Sequence, residues 1–335
     1  MKAMARVGAI LISLVCLAAT GVAQEKQPAA KRTTKPITAA PNTPPLPPAP
    51  APSTGDIAYG AYQRGLYLTA LAEATKRAES SQDPKSMTLI AEIYLNGNGV
   101  KQDEKKAAEW YRLAADRGDR EAQFALGLLY LTGRGVGPDR AEAARHFQAA
   151  AERGYAPAAY NLALFYVEGQ VLPKDIAAAV KWFRVAADQD LADAQYALAG
   201  LYQEGSGVEK SQEEAVRWLG RAAALGQIPA TIEYAIALFN GNGVAKDEAA
   251  AARLFRRAAF AGNAVAQNRL ARILFTGRGL PTDPVEGAAW HLLARAQGLA
   301  DPLLDDFLNK LSKDDQAAAE KRAAARVGGK LPPHT

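Results

Sequence analysis

A chain of 335 residues with a formal net charge of +5 and 22% charged residues has the length of two ordinary domains. Its positive excess sits near the start: Lys2 and Arg6, then Lys26, Lys31, Arg32 and Lys35 against Glu25 and Asp56. The remainder is left near neutral, without the basic stripe a nucleic-acid binder needs. The single cysteine, Cys16, lies in the same early region, so neither disulfides nor metal thiolates are expected to hold the rest together.

Residues 1–23 combine the basic start Lys2 and Arg6, an apolar run from Val7 to Ala19 and the small-residue end Gly21-Val22-Ala23. This pattern predicts a secretory signal peptide cleaved after Ala23. The run is shorter than the ~20 residues of a comfortable membrane span, and the cleaved chain is expected to have no span. Ser13-Leu14-Val15 lacks the small residue that lipoprotein processing wants before Cys16. A retained anchor is the alternative. Residues 24–56, rich in Pro, Ala, Thr and Lys, have too few large apolar groups to fold and predict a disordered linker.

Residues 57–82 predict a degenerate capping repeat, with Tyr62, Gly65, Ala70 and Ala78 spaced over a shortened loop. Six full copies of one unit follow over residues 83–298. Gly97, Gly133, Gly169, Gly205, Gly241 and Gly277 recur 36 residues apart, as do Ala114, Ala150, Ala186, Ala222, Ala258 and Ala294. The column Trp110, His146, Trp182, Trp218, Leu254, Trp290 keeps the same register and is expected to fill the space between neighbouring helix pairs. A fixed period of this length predicts a solenoid.

Within each copy, apolar residues at i, i+4 and i+8 (Ala122, Leu126, Tyr130) mark one face of a first helix. A Gly-x-Gly-Val turn ends that helix. An Asp at 103, 139, 175, 247 or 283, or Ser211, then stands where it can cap the second helix. Gly118, Gly154, Gly226, Gly262 and Gly298, with Asp190 once, close the unit. Val171 replaces the second turn glycine in the third copy, where a local difference is expected. Residues 299–326 predict two capping helices and 327–335 a flexible tail.

Tyr94, Gly97, Gly99, Val100, Asp103, Lys106, Ala107, Trp110, Tyr111, Ala114, Ala115 and Gly118 in the first copy resemble the motif of the Sel-one-like repeat family, and the resemblance extends from about Thr54 to Leu311. It implies an all-α fold related to tetratricopeptide repeats: an α-solenoid, a right-handed superhelix of stacked antiparallel helix pairs. It also implies a protein-binding scaffold, commonly periplasmic or secreted in bacteria.

Catalytic signatures are sparse. The Gly-x-Gly-Val turns lack the following Gly-Lys-Ser/Thr of a P-loop and follow a helix instead of a strand. His146, His291 and His334 show no paired ligand spacing, so no metal is expected. Neither Ser-x-x-Lys nor Gly-x-Ser-x-Gly occurs. Glu168 and Glu204 occupy equivalent places, which in adjacent units lie about 10 Å apart, and read as a solvated groove edge. The expectation is a protein with no catalytic residues and no cofactor. The alternative is a cell-wall-associated carbohydrate binder or hydrolase using acidic rim residues.

If the units stack like tetratricopeptides, the residues two before, two after and five after Leu126 and its equivalents face the concave side. They form an apolar lane of Phe124, Leu128, Leu131, Tyr160, Leu164, Val167, Tyr196, Ile232, Ile236 and Phe239, with Glu168, Glu204, Arg269 and Arg272 at the rim. Such a lane is suited to a protein or extended peptide.

Overall fold

The computed structural model describes residues 57–328, and among them the chain is helical with no strand. The signal-peptide and linker expectations (1–23, 24–56) and most of the tail (329–335) lie outside the described residues. The chain forms two compact units meeting at residues 139 and 140, within the second repeat.

The first unit contains α1 (Ile57–Gln63), α2 (Tyr67–Ser81), α3 (Pro84–Asn96), α4 (Glu104–Asp116) and α5 (Arg120–Thr132). In the second, α6 (Arg140–Glu152), α7 (Ala156–Glu168), α8 (Ile176–Ala187), α9 (Ala192–Glu204), α10 (Gln212–Ala224), α11 (Ile228–Asn240), α12 (Glu248–Phe260), α13 (Ala264–Thr276) and α14 (Pro284–Ala296) continue the repeats. Two further helices, α15 (Pro302–Asn309) and α16 (Lys313–Arg326), follow them. Inside each unit, successive helices of the repeats pack on one another, the arrangement expected of an α-solenoid, and α16 packs back on α14.

The turn chemistry explains the spacing. Gly133 at φ 70° ends α5 in the left-handed conformation. The second turn glycine has a different task. A Cβ on Gly135 would lie 2.0 Å from the Glu104 carbonyl oxygen, and one on Gly279 would lie 2.2 Å from that of Glu248. This glycine is therefore where the turn of one repeat rests on the start of the preceding repeat's second helix, and the contact locks the stacking distance. Val171 stands in that place in the third repeat and is not among the described residues with positive φ, so this turn takes another path.

The capping residue then closes the loop twice. Asp103 donates its N–H to the Tyr94 carbonyl at 2.9 Å, while its Oδ1 accepts from the Lys106 N–H at 3.0 Å. Asp247 and Ser211 repeat both contacts in the second unit. The alanine column is also double-purpose. Ala114 is fully buried, letting helices approach, and its carbonyl accepts the Asp119 N–H at 3.1 Å to terminate α4. Ala186 accepts from Leu191 at 3.2 Å and Ala258 from Asn263 at 3.1 Å in the same way.

The tryptophan column, expected between neighbouring helix pairs, is buried unevenly; the Trp290 ring meets Phe260 of the preceding pair with centres 5.0 Å apart. Trp110 and Trp182 are partly exposed, though Trp218 and Trp290 are buried. The core column is one residue later: Tyr111, Phe147, Phe183, Leu219, Phe255 and His291, none more than 3% exposed. One residue turns a helix by about 100°, which moves the Trp column from the centre of the pair to its flank. There arginines cover the indoles, with Arg221 4.7 Å from the Trp218 ring centre and Arg326 4.3 Å from that of Trp290.

Candidate protein-binding faces

In the first unit, α5 holds Phe124, Leu128 and Leu131 partly exposed. An adjoining cavity of about 490 Å³ is lined by charges of both signs, Arg77, Asp83, Lys85, Glu92 and Glu121, beside Thr88, Tyr59 and Leu89. Thr88 donates its hydroxyl to the buried Asp119 carboxylate at 3.0 Å. Burial pushes the Glu92 carboxyl above its ordinary range, and the nearby charges of Glu121 and Asp119 push it further.

In the second unit the expected lane divides. Tyr160 and Leu164 are 2% and 3% exposed and Ile232 is 8%, so these three are core residues and present no surface to a partner. For Tyr160 and Leu164 the cause is the composition of α7, apolar nearly all round from Ala156 to Val167, which packs on both sides. The Tyr160 ring lies 5.5 Å from that of Phe183, and burial raises the pKa of its hydroxyl, which finds no hydrogen-bond partner among the described residues. Val167, Tyr196, Ile236 and Phe239 remain partly exposed. The Tyr196 hydroxyl donates to Glu233 at 2.8 Å.

The rim residues also separate. Glu168 is paired with Arg140, and Glu204 is exposed. Arg272 is no free rim charge: its Nε and Nη2 reach the two Asp301 oxygens at 2.8 Å each, forming a fork. Asn268 donates to the same carboxylate at 2.7 Å. Burial alone would raise the Asp301 pKa, but the hydrogen bonds from Asn268 and Arg272 outweigh it, and the carboxyl falls below its ordinary range. Arg269 is exposed and makes no ion pair among the described residues.

Four of the expected residues do meet. Ile236, Phe239, Arg269 and Arg272 line one cavity of about 240 Å³ between α11, α13 and α15. Its remaining wall includes Leu303 and Phe307 from α15, which lie beyond the periodic sequence. Phe307 is fixed by stacking on Phe275, with ring centres 4.9 Å apart and planes 15° apart. Arg278 sits 4.2 Å from the centre of the Phe239 ring and is paired with Glu248.

Two structural features escape a period-based reading. Gln123, Gln195 and Gln267 are buried in alternate repeats, and each donates its Nε2 to an alanine carbonyl eight residues earlier (Ala115, Ala187, Ala259) at 3.3, 3.0 and 3.3 Å. Their spacing of two periods was the available signal. The other is His291, fully buried in the core column, whose Nε2 lies 2.8 Å from Asp305 Oδ1; Arg295 donates to the same oxygen at 3.0 Å. Asp305 lies on α15 outside any repeat column, so no sequence signal joined them. Among the described residues, no three or more potential ligands come together to hold a metal ion, and no helix is long and apolar enough to cross a membrane.

Six consecutive Sel1 repeats match the chain, at residues 84–119, 120–155, 156–191, 192–227, 228–263 and 264–299. The chain belongs to the Sel1 repeat family. Among solved structures, it is similar to a protective antigen of uropathogenic Escherichia coli strains displaying an SLR fold. That match has 28% identity and a TM-score of 0.54, covering 83% of this chain and 68% of that one. It is also similar to a Sel1 repeat protein from Oxalobacter formigenes, with 27% identity and a TM-score of 0.59, covering 73% of this chain and 97% of the other. A comparison with curated proteins gives no match. Sel1 repeats commonly serve as protein-interaction scaffolds, and the family is generally non-catalytic.

Proposed function

We propose that this chain is an exported, periplasmic or secreted, non-catalytic scaffold that holds a protein or an extended peptide against its first helices, as an envelope adaptor or regulatory component. One observation carries the interaction part. Equivalent columns of the repeat leave apolar side chains partly exposed: Phe124, Leu128 and Leu131 in the first unit, and Tyr196, Ile236 and Phe239 in the second. Solvated side chains of this size are suited to burial against another polypeptide. Export is supported by the basic, apolar and small-residue order of residues 1–23.

Photo-crosslinking side chains placed at Leu128 and at Phe239 in the producing cell test the interaction, with Arg145 as an exposed control position. The expected result is a discrete adduct from one or both face positions and none from the control. Adducts of equal yield from all three positions would remove the reading. Fusing residues 1–56 ahead of a phosphatase that is active only outside the cytoplasm tests export separately. An inactive fusion would leave the scaffold without its expected compartment.

A further inference from the structure

We infer that the cavity between α11, α13 and α15 receives one bulky apolar side chain of a partner polypeptide, while Arg269 pairs with the side-chain carboxylate of a neighbouring Asp or Glu in that partner. This rests on the scaffold reading and adds the chemistry of what is held.

Size sets the first limit. At about 240 Å³ the cavity is smaller than the ~300–1,000 Å³ of sites for small molecules and cofactors. It suits a side chain anchored in a pocket, the usual form of an interface hot spot. Its walls are apolar where Ile236, Phe239, Leu303 and Phe307 meet, and Leu303 is exposed.

Charge sets the second limit. Three guanidinium groups line the cavity and no carboxylate does. Two are already matched, Arg272 by Asp301 and Arg278 by Glu248. Arg269 makes no ion pair among the described residues and is exposed, so one positive charge beside an apolar well is left over. The complement is an apolar group with one anionic neighbour, and an arginine fork takes a carboxylate with two parallel hydrogen bonds. Partly exposed Tyr196 on α9 continues the face beyond the well. A segment that runs on past the well carries its carboxylate on a side chain, not at a chain end.

The test uses the purified full chain and short fluorescent peptides in a Gly/Ser background, read by anisotropy. The reference peptide holds Phe-Glu and an amidated C-terminus. Its siblings hold Phe-Gln amidated, Ser-Glu amidated, and Phe-Gln ending in a free carboxylate. We expect saturable binding of the reference, with every sibling weaker by about tenfold or more. Arg269→Ala should erase the difference between Phe-Glu and Phe-Gln, and Arg269→Lys should restore part of it. Circular dichroism is expected to be unchanged in both variants, because Arg269 is exposed.

The inference is overturned if the reference peptide does not bind, if Phe-Glu and Phe-Gln bind the parent equally, or if the free-carboxylate sibling matches the reference. It is also overturned if sedimentation shows a dimer that Arg269→Ala dissolves, since the occupant is then a second copy of this chain. Crosslinking separates the two levels of failure. A partner captured at Phe239 in undiminished yield from an Arg269→Glu chain sinks the pocket chemistry and leaves the scaffold standing. Absence of any specific adduct from the parent chain sinks both.

Discussion

The cavities of the two units are built on the same repeat and differ in charge. In the first unit the columns two before and two after the central apolar residue hold Thr88 and Glu92, then Phe124 and Leu128, and the cavity beside the first pair carries charges of both signs. In the second, the same columns hold Ile232 and Ile236, then Asn268 and Arg272, and the cavity combines apolar walls with arginines. Their carboxylates differ accordingly. Burial and like charges raise Glu92, whereas hydrogen bonds from Asn268 and Arg272 lower Asp301 against the opposing effect of burial. Backbone geometry is thus common property, and the charge of each cavity is set by a few columns, other members of which (Tyr160, Leu164, Ile232) are core.

If the core is the shared part, truncating it should cost the same in both units. Tyr111→Ala and Phe255→Ala, at 3% and 2% exposure, are each expected to destabilise by about 3–5 kcal/mol. Hydrogen exchange resolved by helix is the suitable readout, because a repeat array need not unfold in one step. A large inequality between the two would break the comparison at its foundation.

The next test concerns only the second unit. Asp301→Ala removes the acceptor of the Arg272 fork and the cap of α15, whose Leu304 N–H lies 3.4 Å from Oδ1. A loss of about 1.5–3 kcal/mol is expected, read as faster exchange in α15. The pH dependence follows from the sign of the shift. A carboxyl lowered in the folded chain contributes stability above its unfolded pKa and loses it as pH falls through the lowered folded value, below 3.8. Asp305, where burial is outweighed by His291 and Arg295 together, should act in the same direction. Acid should therefore loosen α15 in the parent, and loosen it less in Asp301→Ala, where Asp305 is left to titrate.

Gly135→Ala and Gly279→Ala probe the stacking contact in each unit. The left-handed backbone alone accounts for about 1–3 kcal/mol, and the overlap with a backbone carbonyl adds to it. Thermal melts of both variants should drop, while Gly137→Ala, with nothing within 4 Å of its Cβ, should stay near the parent.

The smallest expected effect has the opposite sign. Glu92 is raised in the folded chain, so its ionised form opposes folding. Glu92→Gln should stabilise the first unit slightly at neutral pH. The gain should vanish as pH falls through the raised Glu92 pKa towards and below 4.5. A Glu92→Gln chain less stable than the parent at pH 7 would mean that its carboxylate has a favourable role that burial beside Glu121 and Asp119 does not suggest.

Most of the fold was legible because it is local. A glycine at φ 70° ends α5, Asp103 caps α4, and each Ala of the buried column both packs and accepts a closing N–H, all within a few residues of sequence. Repetition made each signal visible six times. The binding faces were read less well. Tyr160 and Phe239 occupy different members of the same lane, yet one is sealed against Phe183 and the other lines a cavity under Arg278. Column membership fixes which way a side chain leaves its helix, not what stands opposite it.

Sequence by itself therefore determined the helix pairs, their caps, their turns and their period, since these depend on backbone preferences and spacing along the chain. Tertiary structure alone decided which aromatic column is core, that Arg272 is held by Asp301 while Arg269 is left over, and that α15 supplies the last wall of the cavity. Those outcomes turn on about 100° of helix rotation and on contacts between residues some thirty positions apart (Arg272 and Asp301 among them), which periodicity does not record.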